Sequence, residues 1–250
     1  MENILSIRGL TKRFGGLAAV DGVDLDFPNG RLNAVIGPNG AGKTTLFNLI
    51  TGMLSIDGGQ VVFDGDNIAG LKPHRIVARG LSRTLQIKSV FSGLTVADNL
   101  RVAVMAHEKI ASPFRSALGF SGVNRRVEEL LVETGLARLS GRVAGTLSYG
   151  DVALLEIALA LANRPRLLLL DEPICGMSPA ETETTVARIV ALSKTTQIIL
   201  IEHDMEVVFA IADLITVMAA GRVLARGTPK EIAENKEVQD AYLGAPEDPA

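Results

Sequence analysis

Residues Gly37-Pro38-Asn39-Gly40-Ala41-Gly42-Lys43-Thr44 constrain this chain more tightly than any other stretch. They fit G-x-x-x-x-G-K-[ST] and stand where that pattern has to stand. An apolar run at Leu32 to Ile36 precedes them, and a helix-like run that closes at Gly52 follows Lys43. From the chain's own usage of Gly, Lys, Ser and Thr, such a string arises by chance in roughly one chain in a hundred, so a plain Gly-rich turn is the weaker explanation. The glycines let the backbone curl until successive N–H groups and a helix N-terminus converge on one anion. The Lys43 ammonium then reaches the terminal phosphates, Thr44 offers a hydroxyl to Mg²⁺, and Thr45 completes the nucleotide-binding set.

The last hundred residues alternate helix and strand. Helix Val152 to Ala162 leads to strand Leu167 to Leu170, helix Ala180 to Leu192 to strand Ile198 to Ile201, and helix Met205 to Ala212 to strand Leu214 to Met218. Such alternation predicts an α/β fold with a mostly parallel sheet covered by helices. Leu167-Leu168-Leu169-Leu170 suits a strand buried on both faces, and it ends in Asp171-Glu172. Alone, two carboxylates after a strand read as a solvated turn. Beside a phosphate loop they read as a site, with Asp171 holding Mg²⁺ directly or through water and Glu172 polarising the attacking water.

Ile4 to Arg8 and Leu17 to Phe27 read as strands, and a further hairpin is predicted through Gln60 to Asp64, between Asp57-Gly58-Gly59 and Asp64-Gly65. From Phe91 to Thr146 the signals turn helical, with Val96 to Ala106 and Asn124 to Thr134 as helices. Arg125, Arg126, Glu128 and Glu129 are expected on the wet side of the second. Ser112 to Gly122 reads as a connecting loop and Pro246 to Ala250 as a frayed tail. There is no internal repeat.

With 25 Lys plus Arg against 28 Asp plus Glu, the net charge of −3 argues against nucleic acid as a partner, so phosphate binding has to be local. The single Cys excludes an intrachain disulfide, and Met1 to Leu10 alternates at strand period rather than resembling a signal peptide, which points to the cytoplasm. Apolar runs are interrupted by charge, Glu156 within Leu154 to Ala162 and Glu202 after Ile201, so work at a membrane requires a partner. Cys175 has no His or Cys nearby in sequence and reads as a small packed residue.

The phosphate loop, Gln86, Leu147-Ser148-Tyr149-Gly150, Leu167 to Glu172 and His203 stand in the order and approximate spacing of the nucleotide-binding subunits of ABC transporters, and the resemblance covers nearly the whole chain. Phe14-Gly15-Gly16, Arg83-Thr84-Leu85-Gln86, Gly176-Met177-Ser178-Pro179-Ala180-Glu181, Ile201-Glu202-His203-Asp204-Met205 and Ala241-Tyr242-Leu243-Gly244 resemble those serving branched-chain amino acid uptake. Similar subunits serve urea and other small organic solutes. The resemblance implies an ABC-type phosphate-loop fold over residues 1–250, with an N-terminal antiparallel β part, a mostly parallel core sheet and a helical subdomain at 91–163. It also implies an ATPase that uses ATP and Mg²⁺ and pairs with itself or a related subunit. Such a subunit lies peripherally on the cytoplasmic face of the membrane, drives membrane-spanning permease subunits and serves a periplasmic or extracellular solute-binding protein indirectly.

Residue by residue, the resemblance implies that Phe14 stacks on adenine, although alone it reads as a core Phe at a strand end. It implies that Gln86 reaches Mg²⁺ or the attacking water and senses the membrane partner, and that His203 touches the γ-phosphate and orients Glu172. Otherwise a His after a strand is an ordinary structural residue. Ser148, Tyr149 and Gly150 would present a helix N-terminus to the ATP of the partner subunit. Independently of any family, Ser148 followed three residues later by Asp151 is a capping-box pattern. The chain departs from the common pattern at Asp151-Val152-Ala153 and at Ser178, where many ABC subunits have Asp. Asp151 adds a negative charge where a phosphate is expected, opposing it by about 0.3–1 kcal/mol. A regulatory module with weak hydrolysis is therefore the alternative to an active ATPase. A small-molecule kinase leaves the Ser148 segment without a role, and soluble ABC proteins of translation or chromosome work carry two ATPase units or long coiled-coil insertions.

Overall fold

The computed structural model describes residues 2–84, 90–110 and 119–243. The chain folds into two compact units, one from residues 1–79 and 197–250, the other from 80–196. In chain order the first unit begins with β1 (Asn3–Phe14), β2 (Leu17–Pro28), β3 (Asn33–Ile36), α1 (Lys43–Ile50), β4 (Gly58–Phe63), β5 (Asp66–Asn67) and α2 (Pro73–Val77). The second unit contains β6 (Leu81–Arg83), α3 (Val96–His107), α4 (Ser121–Thr134), α5 (Tyr149–Leu161), β7 (Leu167–Asp171) and α6 (Pro179–Leu192). The first unit resumes with β8 (Gln197–Ile201), α7 (Met205–Ile211), β9 (Leu214–Ala219), β10 (Arg222–Gly227), α8 (Pro229–Ala233) and α9 (Lys236–Leu243).

In the first unit, β2, β1, β4 and β5 form an antiparallel sheet. The Ile4 to Arg8 strand continues to Phe14 because register shifts between Ile7 and Lys12 absorb the positive φ of Gly9. Asp64 and Gly65 both take positive φ, 52° and 84°, which is what a tight hairpin between β4 and β5 requires. Strand β3 lies parallel to both β8 and β9, and β10 closes antiparallel on β9. In the second unit β6 is parallel to β7. The expected antiparallel N-terminal part and mostly parallel core sheet are both present.

Burial follows the apolar runs. All four leucines of β7 have no exposed surface, as do Ala34, Val35 and Ile36 of β3 and Ile198, Ile199 and Ile201 of β8. Each buried leucine stabilises the fold by about 1.5–3 kcal/mol relative to exposure. Strand β6 is too short, and β10 too rich in Arg and Gly, for an alternation to stand out in sequence. Arg126 is not on the wet side of α4 but buried, while Arg125, Glu128 and Glu129 are exposed. Its guanidinium donates to Glu129 at 3.1 Å, to Glu133 at 3.0 Å and to the Leu161 carbonyl of α5 at 3.1 Å, so paired carboxylates and a helix end stabilise the buried charge. Ser121 and Gly122 belong to α4 rather than to the preceding loop, whose residues 112–118 lie outside the described residues, as does the tail from Pro246.

Candidate functional site

In the first unit, β3 runs into the Gly37–Gly42 loop and α1 starts at Lys43. Gly42 takes φ 100°, and a Cβ there would stand 2.4 Å from the Ala19 carbonyl oxygen of β2. Glycine is therefore dictated by both conformation and space. The loop is pinned by the Gly221 N–H, which donates to the Ala41 carbonyl at 3.1 Å, and by the Ala41 N–H, which donates to Pro38 at 3.1 Å. The first turn of α1 has no side-chain cap and no acidic residue, which leaves its positive end to an anion. The Lys43 ammonium, almost fully buried, donates to the carbonyls of Gly37 at 2.6 Å and Pro38 at 3.1 Å, so it lies within the curl of the loop. Thr44 and Thr45 follow on α1, both partly exposed.

Phe14 ends β1 with 48% of its surface exposed, so it is not a core side chain. The Lys12 ammonium stands 5.6 Å from its ring centroid and also pairs with Asp57 at 2.9 Å. His203 follows β8 and its side chain is 59% exposed. Its N–H donates to the Glu202 carboxylate at 3.2 Å. Glu202 is fully buried; in sequence its only signal is its place after the apolar run of β8, which resembles that of Asp171 after the four leucines of β7. Burial pushes the Tyr242 phenol on α9 up to about 12, partly offset by a hydrogen bond with the backbone of Gly37, so the C-terminal helix is tied to the start of the phosphate loop.

In the second unit, Asp171 ends β7 with its side chain wholly buried. Its Oδ2 accepts a 2.5 Å bond from Arg83 on β6, whose side chain is 7% exposed. The Asp171 N–H donates to the Thr84 hydroxyl at 3.3 Å. Asp171 Oδ1 is buried with no hydrogen-bond partner among the described residues, which fits a carboxylate that serves a cation. No group of three or more His, Cys, Asp or Glu side chains able to hold a metal occurs among the described residues. Arg83→Met should cost about 3–5 kcal/mol by leaving the Asp171 charge buried and unpaired. Urea unfolding would measure it, and adding Asp171→Asn should restore most of the loss. A loss below about 1 kcal/mol would contradict the pairing.

Glu172 takes φ 50°, the left-handed region, an uncommon conformation for a non-Gly residue and one concentrated at functional positions. It lines a cavity of about 370 Å³ together with Asp171, Thr84, Tyr149, Glu156 and Cys175. Cys175 is exposed there rather than packed, because the turn after Glu172 carries it outward, its N–H donating to the Glu172 carbonyl at 3.3 Å. Gln86 lies outside the described residues.

Helix α5 starts at Tyr149, with Ser148 as its N-cap accepting from the Asp151 N–H at 3.3 Å. The Gly150 N–H is engaged by a carboxylate from elsewhere, Glu181 on α6, at 3.2 Å. Glu181 also accepts from the N–H and hydroxyl of Ser178, at 3.0 and 2.7 Å. Bonds from Ser178, then from the Gly150 N–H and the Ser148 hydroxyl, hold its carboxyl down at about 2. In the sequence Glu181 shows only as the third residue after Ser178, an N-terminal capping pattern that says nothing of Gly150.

A phosphate loop opening a helix, and a buried strand ending in paired carboxylates, define a nucleotide-binding protein of the α/β phosphate-loop class. The ABC transporter family profile matches residues 20–175, and that of the branched-chain amino acid ATP-binding cassette transporter matches residues 222–248. The high-affinity branched-chain amino acid transport ATP-binding protein BraF of Pseudomonas aeruginosa is 43% identical over 251 residues, covering 96% of this chain and 98% of that protein. The protein LivG of Escherichia coli, of the same description, is 39% identical over 253 residues, covering 97% and 98%. A crystal structure of a nucleotide-free ATP-binding cassette from an ABC transporter superposes with a TM-score of 0.86 at 29% identity, covering 98% of this chain and all of that one. The chain belongs to the ABC transporter family. It is an ABC transporter ATPase.

Proposed function

We propose that this chain is the ATP-hydrolysing subunit of an importer for branched-chain amino acids, and that it pairs around ATP with a second copy or a related ATPase subunit. The observation that carries this reading is likeness at both levels: 43% identity to BraF over 96% of the chain, together with the branched-chain profile over the C-terminal residues 222–248.

The roles follow the chemistry of each group. The N–H groups of Asn39 to Thr45 and the Lys43 ammonium bind the phosphates, Gly37 and Pro38 shaping the loop, and Phe14 stacks on adenine. Thr44 and Asp171 are assigned to Mg²⁺, which when bound neutralises phosphate charge; Gln86 is assigned to the same ion and to sensing the permease. Glu172 accepts a proton from the attacking water, and His203 orients the γ-phosphate end of the reaction. Ser148, Tyr149 and Gly150 present the N-terminus of α5 to the partner's nucleotide.

No helix among the described residues is long and apolar enough to cross a membrane. On the likeness to transporter ATP-binding subunits we assign the chain to the cytoplasmic face, attached through permease subunits that a solute-binding protein supplies from the other side. The helical block at 91–163 is assigned to permease docking. Phe91, Leu94 and Val143 are 58%, 38% and 41% exposed there. Backbone bonds from Ala144 to Leu94 and from Gly145 to Ser92, each 2.9 Å, tie the two segments together and offer the permease an apolar, pre-formed surface. In proteoliposomes containing the co-purified permease, ATP-dependent uptake is expected for leucine, isoleucine and valine and not for urea. The double variant Phe91→Asp, Leu94→Asp should lower uptake at least tenfold, with ATP affinity within about twofold of the parent. Uptake of urea alone, or full transport by the double variant, would overturn the solute or the docking assignment respectively.

A further inference from the structure

The N-terminus of α5 is already occupied by a carboxylate of its own chain. A capping glutamate normally serves its own helix, and Glu181 does so through Oε2, which takes both the N–H and the hydroxyl of Ser178. Its other oxygen, Oε1, reaches across to the N–H of Gly150, 31 residues away in sequence. The approach is close enough that a Cβ on Gly150 would meet Glu181 Cβ at 3.1 Å and Cγ at 3.2 Å, so the glycine makes room for this side chain. The neighbouring donor, the Asp151 N–H, is taken by Ser148.

We propose that Glu181 is an internal competitor for the partner's nucleotide: its carboxylate holds the Gly150 N–H that a γ-phosphate takes in the ATP-bound pair, and pairing displaces it. The proposal rests on the reading that α5 faces the partner's ATP. A negative oxygen at a helix N-terminus satisfies the same N–H and dipole that a phosphate oxygen uses, so both cannot hold this donor fully. Glu181 stays ionised far below neutral pH, so the competition is present under all physiological conditions. A cavity of about 250 Å³ adjoins the contact, lined by Gly150, Asp151, Leu154, Glu181, Thr184 and Thr185, and gives the released carboxylate a place to turn into. The arrangement makes an ATP-free subunit a poor partner and sets a threshold for closure.

The test uses the full chain with Glu172→Gln as the parent, so that ATP persists, and sedimentation equilibrium in MgATP as the readout. Glu181→Gln removes the charge, and Glu181→Asp keeps it but is one methylene too short to serve Ser178 and Gly150 together. Either variant suffices should the other fold poorly. Both should pair more tightly than the parent, by about three- to thirtyfold in the dimer dissociation constant, since two symmetry-related contacts each release an ordinary helix-terminus interaction. For Glu181→Gln the difference should shrink in high salt, which a purely structural role would not produce. Equal or weaker pairing by the variants, with the parent still forming ATP-dependent dimers, overturns the competitor proposal and leaves the dimer reading standing. A parent that stays monomeric in MgATP overturns the dimer reading itself, and the proposal with it.

Discussion

Glu172→Gln is expected to lower steady-state ATP hydrolysis at least a hundredfold while leaving ATP affinity within about twofold of the parent, the usual scale for loss of a general base. The carboxylate follows Asp171 directly at the end of a strand with no exposed leucine, and its backbone is held in the left-handed region at φ 50°. Such a backbone persists only where the surroundings over-determine it, so the side chain direction is set in advance. Gln preserves shape and hydrogen-bonding reach but cannot accept the proton of the attacking water. The nucleotide therefore remains bound and unhydrolysed, and the paired state should accumulate in MgATP as a species of twice the parent's mass. A Gln variant that keeps more than a tenth of the parent rate would remove Glu172 from the proton transfer. A parent no faster than its own Gln variant would instead favour the regulatory module with weak hydrolysis.

Lys43→Ala should weaken ATP binding by roughly 30- to 150-fold, the equivalent of about 2–3 kcal/mol for a charge-assisted contact. Two losses combine. The ammonium is the positive charge carried on the loop itself, and in the structure it also ties the Gly37 and Pro38 carbonyls from inside the curl, at 2.6 and 3.1 Å. Lys43→Arg separates them: it keeps the charge, but its planar fork does not match a site shaped for a compact ammonium, so it should recover only part of the affinity. Equilibrium titration with a fluorescent ATP analogue measures all three proteins. Unchanged affinity in the Ala variant would refute the phosphate-loop assignment.

What could be read from the chain by itself was whatever depends on neighbours in sequence. The phosphate loop was legible because its demands are local: glycines at set positions for a curled backbone, Lys43 and Thr44 at the first turn of the helix that follows. Strand β7 was legible because a four-leucine run ending in two carboxylates suits only a strand buried on both faces, and the helix-strand alternation after it dictated a mostly parallel sheet. The family followed from the order of such segments, and so did the fold.

Tertiary structure alone decided which distant groups meet. The partner of Asp171 is Arg83, 88 residues earlier, brought alongside by the parallel pairing of β6 with β7. Arg126 reads as a surface residue until α4 packs against α5 and gives its guanidinium the Leu161 carbonyl. Phe14, at the end of β1, and Cys175, in the turn after Glu172, are exposed, which no local count of apolar residues reveals. Asp151 is the carboxylate that the sequence places at the start of α5, yet the one that takes the Gly150 N–H is Glu181, delivered from another helix. Spacing along one element predicts what that element can present. The free energy of a buried charge or an occupied helix end depends on the groups that packing brings within hydrogen-bond reach, and these come from elements far apart in the chain.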